Sequence, residues 1–380
     1  MTTRYRPMCS LFVASLCVVL TGAGALSHTY AGETLHHDAS PANGPLVVID
    51  QRGQRGGQVQ IGTGQDEVLA VQGGAVRVLG RHLTATCCGL GGLAPSPRGL
   101  YVAFSQEAIA TVRPVRQPAG LWRVTSAGTQ LQRLVATPTA DSAAAGPLTL
   151  GPVAWSPDRY TLAYAVDSSS DTPVNPRSVR TQGIWLMSYD ALRAPRQLVP
   201  VTQLGDAFVA CQQSAPLITA LAWMDARTLI VSAECSIPAP SPGTRARLVQ
   251  AVVALDTTSG RARTLVMGGR DAAVSASGGQ LAYVTGNANT GPTTLWVANA
   301  RGQGGRTIAT APTQITSPAW APDGQMLAYL VGPAAGHGTI IETVSVTTGR
   351  RQTVLAAAGA ALPAGGYFTR VAWMHTPVPQ

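Results

Sequence analysis

One fourteen-residue pattern returns along this chain, and it limits what the chain can fold into. It reads "VAWSPDRYTLAYAV" from Val153 and "PAWAPDGQMLAYLV" from Pro318. An aromatic residue precedes a Pro-Asp turn, and an apolar run alternating with period two follows it. Weaker copies are "LAPSPRGLYVAFSQ" from Leu93, "LAWMDARTLIVSAE" from Leu221, "AAVSASGGQLAYVT" from Ala272 and "VAWMHTPVPQ" from Val371. The Trp position falls at Pro95, Trp155, Trp223, Val274, Trp320 and Trp373, with spacings of 60, 68, 51, 46 and 53 residues. Such uneven spacing marks loop insertions between recurring strand pairs. Within the turn, Pro fixes φ, Asp hydrogen-bonds nearby backbone and Gly accepts a positive φ.

A second motif alternates with the first. Its copies are "LWRVTSAGTQLQRLV" from Leu121, "IWLMSYDALRAPRQLV" from Ile184, "VVALDTTSGRARTLV" from Val252, "LWVANARGQGGRTIA" from Leu295 and "ETVSVTTGRRQTVL" from Glu342. Each unit therefore reads as four short strands. One four-stranded sheet cannot bury both of its faces alone, so the units must stack into a ring. The expected fold is an all-β, six-bladed β-propeller of four-stranded antiparallel blades. The chain ends just after a first strand, 371–374, whose partners must come from the N-terminal stretch. That stretch offers apolar strands at 46–50, 58–61, 68–72 and 75–79, one more than the composite blade needs. Seven blades is the alternative.

Composition agrees with short strands and tight turns: 12% of residues are charged, with 41 Gly and 27 Pro among 380 residues. The net charge is +9 and all 27 basic residues are Arg. They are scattered, the densest groups being Arg177/Arg180, Arg245/Arg247, Arg261/Arg263 and Arg350/Arg351, with no basic run interleaved with aromatics. Codon usage in a GC-rich genome explains this, and no nucleic-acid partner is expected.

Residues 1–31 read as a signal peptide. Arg4 and Arg6 precede an apolar run at 10–20, with cleavage expected after Ala25 or Ala31. A flexible linker at 32–44 and a single propeller domain at 45–380 follow. The apolar run is too short for a comfortable membrane span of ~20 residues. The destination is outside the cytoplasm: periplasm, cell envelope or medium. Cys9 and Cys17 leave with the signal, and Cys87, Cys88, Cys211 and Cys235 remain. Cys211 and Cys235 flank a hairpin-like stretch, so a disulfide is expected between them. The adjacent Cys87 and Cys88 are left open: a vicinal bridge, bridges elsewhere, or free thiols. Cys-x-x-Cys spacing is absent, and no zinc site is expected.

The segments "WSPDRYTLAY" and "WAPDGQMLAY" resemble the WD40-like (PD40) repeat of the TolB family of exported β-propellers. The resemblance covers most of the chain beyond the signal, and it marks Trp155, Pro157, Asp158, Tyr164, Trp223, Tyr283, Trp320, Pro322, Asp323, Gly324, Tyr329 and Trp373 as structural repeat positions. It implies an envelope setting and protein–protein contacts through a propeller face.

No catalytic residue, cofactor or metal is assigned. Gly-x-Ser-x-Gly, His-Glu-x-x-His, Walker and dinucleotide motifs are missing. His36-His37-Asp38 is read as a solvated tail rather than a metal site. Asp158 and Asp323 are read as turn ligands, and Trp122, Trp185 and Trp296 as inter-blade core. Glu107, Asp167, Asp206 and Glu234 sit at strand ends or in loops, where a polar ring at a channel mouth would lie. The insertions 168–183, 200–215 and 239–247 are polar or Pro-rich, and Arg177, Arg180, Arg245 and Arg247 mark a partner surface. The expected protein is a monomeric, non-enzymatic propeller that binds a protein or envelope component. The alternative is a lactonase-like hydrolase or lyase, which would need carboxylates and a His converging on the channel. A third reading is an anionic glycan or small ligand held by channel Arg residues.

Overall fold

The computed structural model describes residues 43–51, 54–55, 58–59, 66–72, 75–80, 90–106, 120–136, 148–158, 160–168, 182–189, 194–211, 215–237, 246–286, 291–332, 340–356 and 367–376. Their secondary structure is strand, apart from two short 3-10 turns at Val201–Gln203 and Asp206–Cys211. No helix among them is long and apolar enough to cross a membrane.

In chain order, β1 (Asn43–Gln51), the short pair β2 (Gln54–Arg55) and β3 (Gln58–Val59), then β4 (Asp66–Gln72) and β5 (Ala75–Gly80) come first. Blade 1 is β6 (Leu90–Pro95), β7 (Tyr101–Gln106), β8 (Gly120–Thr125) and β9 (Leu131–Ala136). Blade 2 is β10 (Leu148–Trp155), β11 (Thr161–Ser168), β12 (Gly183–Ser188) and β13 (Arg196–Pro200). Blade 3 is β14 (Leu217–Trp223), β15 (Thr228–Ile237), β16 (Arg247–Asp256) and β17 (Ala262–Met267). Blade 4 is β18 (Gly269–Val274), β19 (Gln280–Thr285), β20 (Thr293–Asn299) and β21 (Arg306–Ala311). Blade 5 is β22 (Gln314–Trp320), β23 (Met326–Gly332), β24 (Ile340–Ser345) and β25 (Arg351–Ala356). β26 (Tyr367–His375) then pairs with β1 to complete blade 6, in the order β26-β1-β4-β5.

The ring thus has six blades. One of the four expected N-terminal strands is indeed left out of blade 6: Gln58–Val59 pairs with Gln54–Arg55 as a separate ribbon. The inner strands touch in sequence around the ring, and β26 meets β6 to close it. Closure is antiparallel, with Leu46 opposite Trp373 and Val48 opposite Val371. Trp373 Nε1 donates to the Gly44 carbonyl at 3.0 Å. Asn43 ties this closing blade to blade 5: its Nδ2 donates to Asp323 Oδ2 at 2.9 Å, and the Asp323 amide donates to Asn43 Oδ1 at 3.2 Å.

The core lies in the wedges between blades. Val47, Ile49, Val68 and Ala70 of blade 6 bury against Val102 and Phe104 of blade 1. Leu150, Trp155 and Tyr164 of blade 2 bury against Ala103 and Leu121 of blade 1. Period-two alternation puts apolar side chains on both faces of each strand, which suits a sheet covered on both sides. At the centre of the Leu-Ala-Tyr strands, Ala163, Ala282 and Ala328 are fully buried, and their small side chains let neighbouring sheets approach. The marker Trp residues of blades 2, 3 and 5 clip each of these blades to the one before. Trp155 Nε1 donates to Ala94 O at 3.0 Å, Trp223 Nε1 to Ala154 O at 3.2 Å and Trp320 Nε1 to Ala273 O at 3.2 Å.

The repeated turn has one geometry. The Ala321 amide donates to Met326 O, and the Gly324 amide to Ala321 O, both at 2.9 Å. Asp323 Oδ1 accepts the Gln325 amide at 2.9 Å, and Asp158 Oδ1 accepts the Tyr160 amide at 3.0 Å and the Ser156 hydroxyl. Gly324 adopts φ 71° and Gly278 φ 72°. Gly278 also abuts the preceding blade, where an added Cβ would stand 2.3 Å from the Met224 carbonyl oxygen. Cys211 and Cys235 are joined by a disulfide across a separation of 24 residues, tying the second 3-10 turn to β15.

Three outcomes follow for thermal unfolding. Gly324→Ala, with open space around it, should cost only the left-handed backbone penalty of ~1–2 kcal/mol. Gly278→Ala should cost clearly more, because it adds a clash; equal shifts in Tm would refute the inter-blade contact. Trp320→Phe should lose about 1 kcal/mol and Trp320→Ala about 3–5 kcal/mol, separating the Nε1 hydrogen bond from the packing of the ring. Replacing both Cys211 and Cys235 by Ser should lower stability by about 3.5 kcal/mol, the loop-closure value for a bridge of this span, and unfolding in reductant should show the same loss.

Candidate functional site: the central channel

Every inner strand breaks its pairing at the same place. Register shifts fall between Leu90 and Leu93, Leu150 and Val153, Ile218 and Ala220, Arg270 and Ala273, and Thr316 and Ala319. On β26 the shift lies between Phe368 and Arg370. A bulge adds one residue to one strand and re-aims its side chains. Three residues before each Trp position stand Gly92, Pro152, Ala220, Asp271, Ser317 and Arg370, which form a belt around the channel. Asp271 (φ 48°) and Ser317 (φ 50°) are the non-glycine residues with positive φ among those described.

Hydroxyls hold these kinked backbones to their neighbours. Ser105 Oγ accepts the Gly92 amide at 2.6 Å and donates to the Gly151 carbonyl of blade 2 at 2.7 Å. Ser232 Oγ accepts the Ala272 amide of blade 4 at 2.8 Å. Thr293 Oγ1 accepts the Ile315 amide of blade 5 at 2.7 Å, and Ser317 Oγ accepts the Val371 amide of blade 6 at 3.0 Å.

The belt and the row of marker residues enclose a cavity of about 260 Å³. Its lining includes one carboxylate, Asp271, and one guanidinium, Arg370. Asp271 is paired with the buried Arg270, whose Nη2 also donates to the Ile315 carbonyl at 3.0 Å. Arg370 reaches over the opening: Nε donates to the Gly91 carbonyl at 3.0 Å and Nη2 to the Thr219 carbonyl of blade 3 at 3.5 Å. Among the described residues, no three His, Cys, Asp or Glu side chains group to hold a metal ion.

Of the residues singled out by sequence, Trp155, Trp223, Trp320 and Trp373 line the cavity and the others fall elsewhere. Tyr164 and Tyr329 are buried between blades; burial pushes both phenols up, and for Tyr329 the Glu342 carboxylate, accepting its hydroxyl at 2.6 Å, adds to the rise. Trp122, Trp185 and Trp296 are partly buried in the inter-blade clusters, each opposite an aromatic: Phe104, Tyr164 and Tyr283. Asp167 is buried beside Gly151, Glu234 accepts Gln250 Nε2 at 2.9 Å, and Asp206 opens a 3-10 turn. None of these acids lines the cavity. Arg247 is exposed at the start of β16. The signal segment, His36 to Asp38, Cys87, Cys88, Glu107, Arg177, Arg180 and Arg245 lie outside the described residues.

Strand direction sorts the connections. The Trp-Pro-Asp turns and the turns joining third to fourth strands share one end of the ring, because each inner strand ends there. Connections from second to third strands leave at the other end, including those from Ser168 to Gly183 and from Ile237 to Arg247. At the tight-turn end, Tyr101, Trp155, Tyr160 and Tyr189 line a second depression of about 240 Å³ between blades 1 and 2. Arg123 lies over the Tyr101 and Tyr189 rings at 4.8 and 4.6 Å.

The belt was missed by the sequence reading. Its signal was present in the position three residues before each marker, but a bulge cannot be read from alternation.

Known proteins give this geometry a setting. A family model described as the lipoprotein LpqB β-propeller domain matches residues 247–371, about a third of the chain. The Tol-Pal system protein TolB of Polaromonas sp. is 37% identical over 73 residues, covering 19% of this chain and 16% of that protein. TolB from Acinetobacter baumannii superposes with a TM-score of 0.55 at 12% identity, over 87% of this chain and 66% of that one. A putative TolB from Agrobacterium tumefaciens gives 0.51 at 13% identity, over 88% and 100%. The chain therefore spans less than two thirds of the length of the Polaromonas and Acinetobacter proteins. At such identities the superpositions speak to fold, and the hydrazine synthase of Kuenenia stuttgartiensis superposes as well, at 0.53 and 9% identity over 88% of this chain and 47% of that one. The chain is a six-bladed β-propeller, similar in repeat sequence and in fold to TolB proteins.

Proposed function

We propose that this protein is an exported, non-enzymatic propeller that binds a protein partner of the cell envelope through one face of its ring. The observation that carries this reading is the sorting of connections. The polar, Arg-bearing insertions at 168–183 and 239–247 leave blades 2 and 3 at the same end of the ring, which offers one partner both segments. The likeness to a Tol-Pal system protein supports an envelope partner, and the disulfide between Cys211 and Cys235 is consistent with an oxidising compartment. Of the charged groups lining the channel, Asp271 is paired with Arg270 and Arg370 is a guanidinium that stays protonated, so neither is placed for acid–base chemistry.

The reading is tested with residues 32–380 as bait against an envelope extract of the source organism at moderate salt. One protein should be retained stoichiometrically and lost when 169–181 is deleted, with the Tm of the deletion variant unchanged. A bait that retains no protein, or one whose partner ignores both insertions, would contradict it.

A further inference from the structure

Arg370 brings to the channel a positive charge that no side chain among the described residues balances. Its three hydrogen bonds go to carbonyl oxygens: Gly91 at 3.0 Å, its own neighbour Thr369 at 3.3 Å and Thr219 at 3.5 Å. Carbonyls satisfy donors but carry no net charge. No ion pair joins Arg370 to a carboxylate among the described residues. The single carboxylate in the cavity lining, Asp271, is already taken by Arg270. Blade 4 therefore shows how this channel neutralises an arginine when it does so from within: the acid is the adjacent residue and the pair is buried. On blade 6 the residues flanking Arg370 are Thr369 and Val371, and the guanidinium faces the cavity instead.

A guanidinium lining a confined, partly apolar cavity attracts an anion far more strongly than it would in water. A guanidinium has five N–H donors, of which Arg370 uses three, and its planar fork matches a carboxylate. The rest of the lining sets the size and character of the guest. At about 260 Å³ the space is below the usual range for drug-sized ligands, ~300–1,000 Å³. Gly92, Pro152, Ala220 and the marker residues offer small and apolar surface. We propose that the channel is a carboxylate site anchored by Arg370, taking one carboxylate on a short apolar stem. Two sources supply that chemistry: a small organic acid, or the C-terminal carboxylate of a polypeptide entering the ring. The inference stands apart from the protein-binding reading above, since it concerns the channel and not the insertions.

The test is calorimetric titration of the purified protein, at fixed ionic strength, with butanoate, with N-acetyl-Ala-Ala as the free acid, and with the same dipeptide as its amide. At least one acid should bind and the amide should not. Butanoate alone would assign the site to small acids; preference for the peptide acid would assign it to a chain terminus. Arg370→Gln should weaken binding by about tenfold or more. Ala220→Leu, which fills the cavity without touching the guanidinium, should abolish it and decides the matter if Arg370→Gln does not fold. The proposal is overturned if neither acid binds the wild type at millimolar concentration, if acid and amide bind alike, or if a folded Arg370→Gln or Ala220→Leu variant binds as tightly as the wild type.

Discussion

The pairing of β1 with β26 is the contact on which the ring depends. Every other blade is a run of consecutive hairpins, built from strands that are neighbours in sequence. Blade 6 alone joins the two ends of the propeller, through pairs such as Leu46 with Trp373 and a Trp373–Gly44 hydrogen bond spanning 329 residues. Without it, blades 1 and 5 would each expose an apolar wedge, and β26 would be an unpaired strand with open edges. Closing so long a loop is costly in chain entropy, but the cost rises only with the logarithm of length, and the return is an entire blade. The Asn43–Asp323 contact shows the closing strand fastened to the repeat turn of the blade before it.

The remaining blades are held by two sets of hydrogen bonds that run opposite ways around the ring. Trp indoles of blades 2, 3 and 5 donate back to the preceding inner strand. Hydroxyls of blades 1, 3, 4 and 5 reach forward to the next one. Both sets act on inner-strand backbone at or near the bulges, where the ladder is interrupted and polar groups need partners. The same bulges set the shape of the channel, so the groups that hold the ring together also decide which side chains face its cavity. A scaffold braced at its axis leaves the ends of the blades free to vary, and the long connections all leave at one end.

Much of this was legible in the residues. The Trp-Pro-Asp-Gly turns, the four-strand unit, the six blades, the composite closing blade and the Cys211–Cys235 bridge follow from local turn chemistry and period-two alternation. Asp158 and Asp323 are turn ligands for the reason their sequence context suggests. The candidate site was not legible in the same way. A bulge inserts one residue and shifts the alternation, so Arg370 and Asp271 look like ordinary strand residues until the register is known. The role of Ser105, Ser232 and Thr293 was hidden too, because each serves the backbone of a strand far away in sequence. The 58–61 stretch has a strand's composition, yet its described residues Gln58–Val59 pair with Gln54–Arg55 and not with blade 6.

Native-state hydrogen exchange tests the closed ring most directly. If β1 and β26 are a true blade interior, the amides of Val47, Val48, Ile49 and Ala372 should exchange as slowly as those of Leu229, Ile230 and Val231 at the centre of blade 3, through global unfolding. Exchange of the first group at the rate of a frayed edge, with blade 3 still protected, would contradict the account.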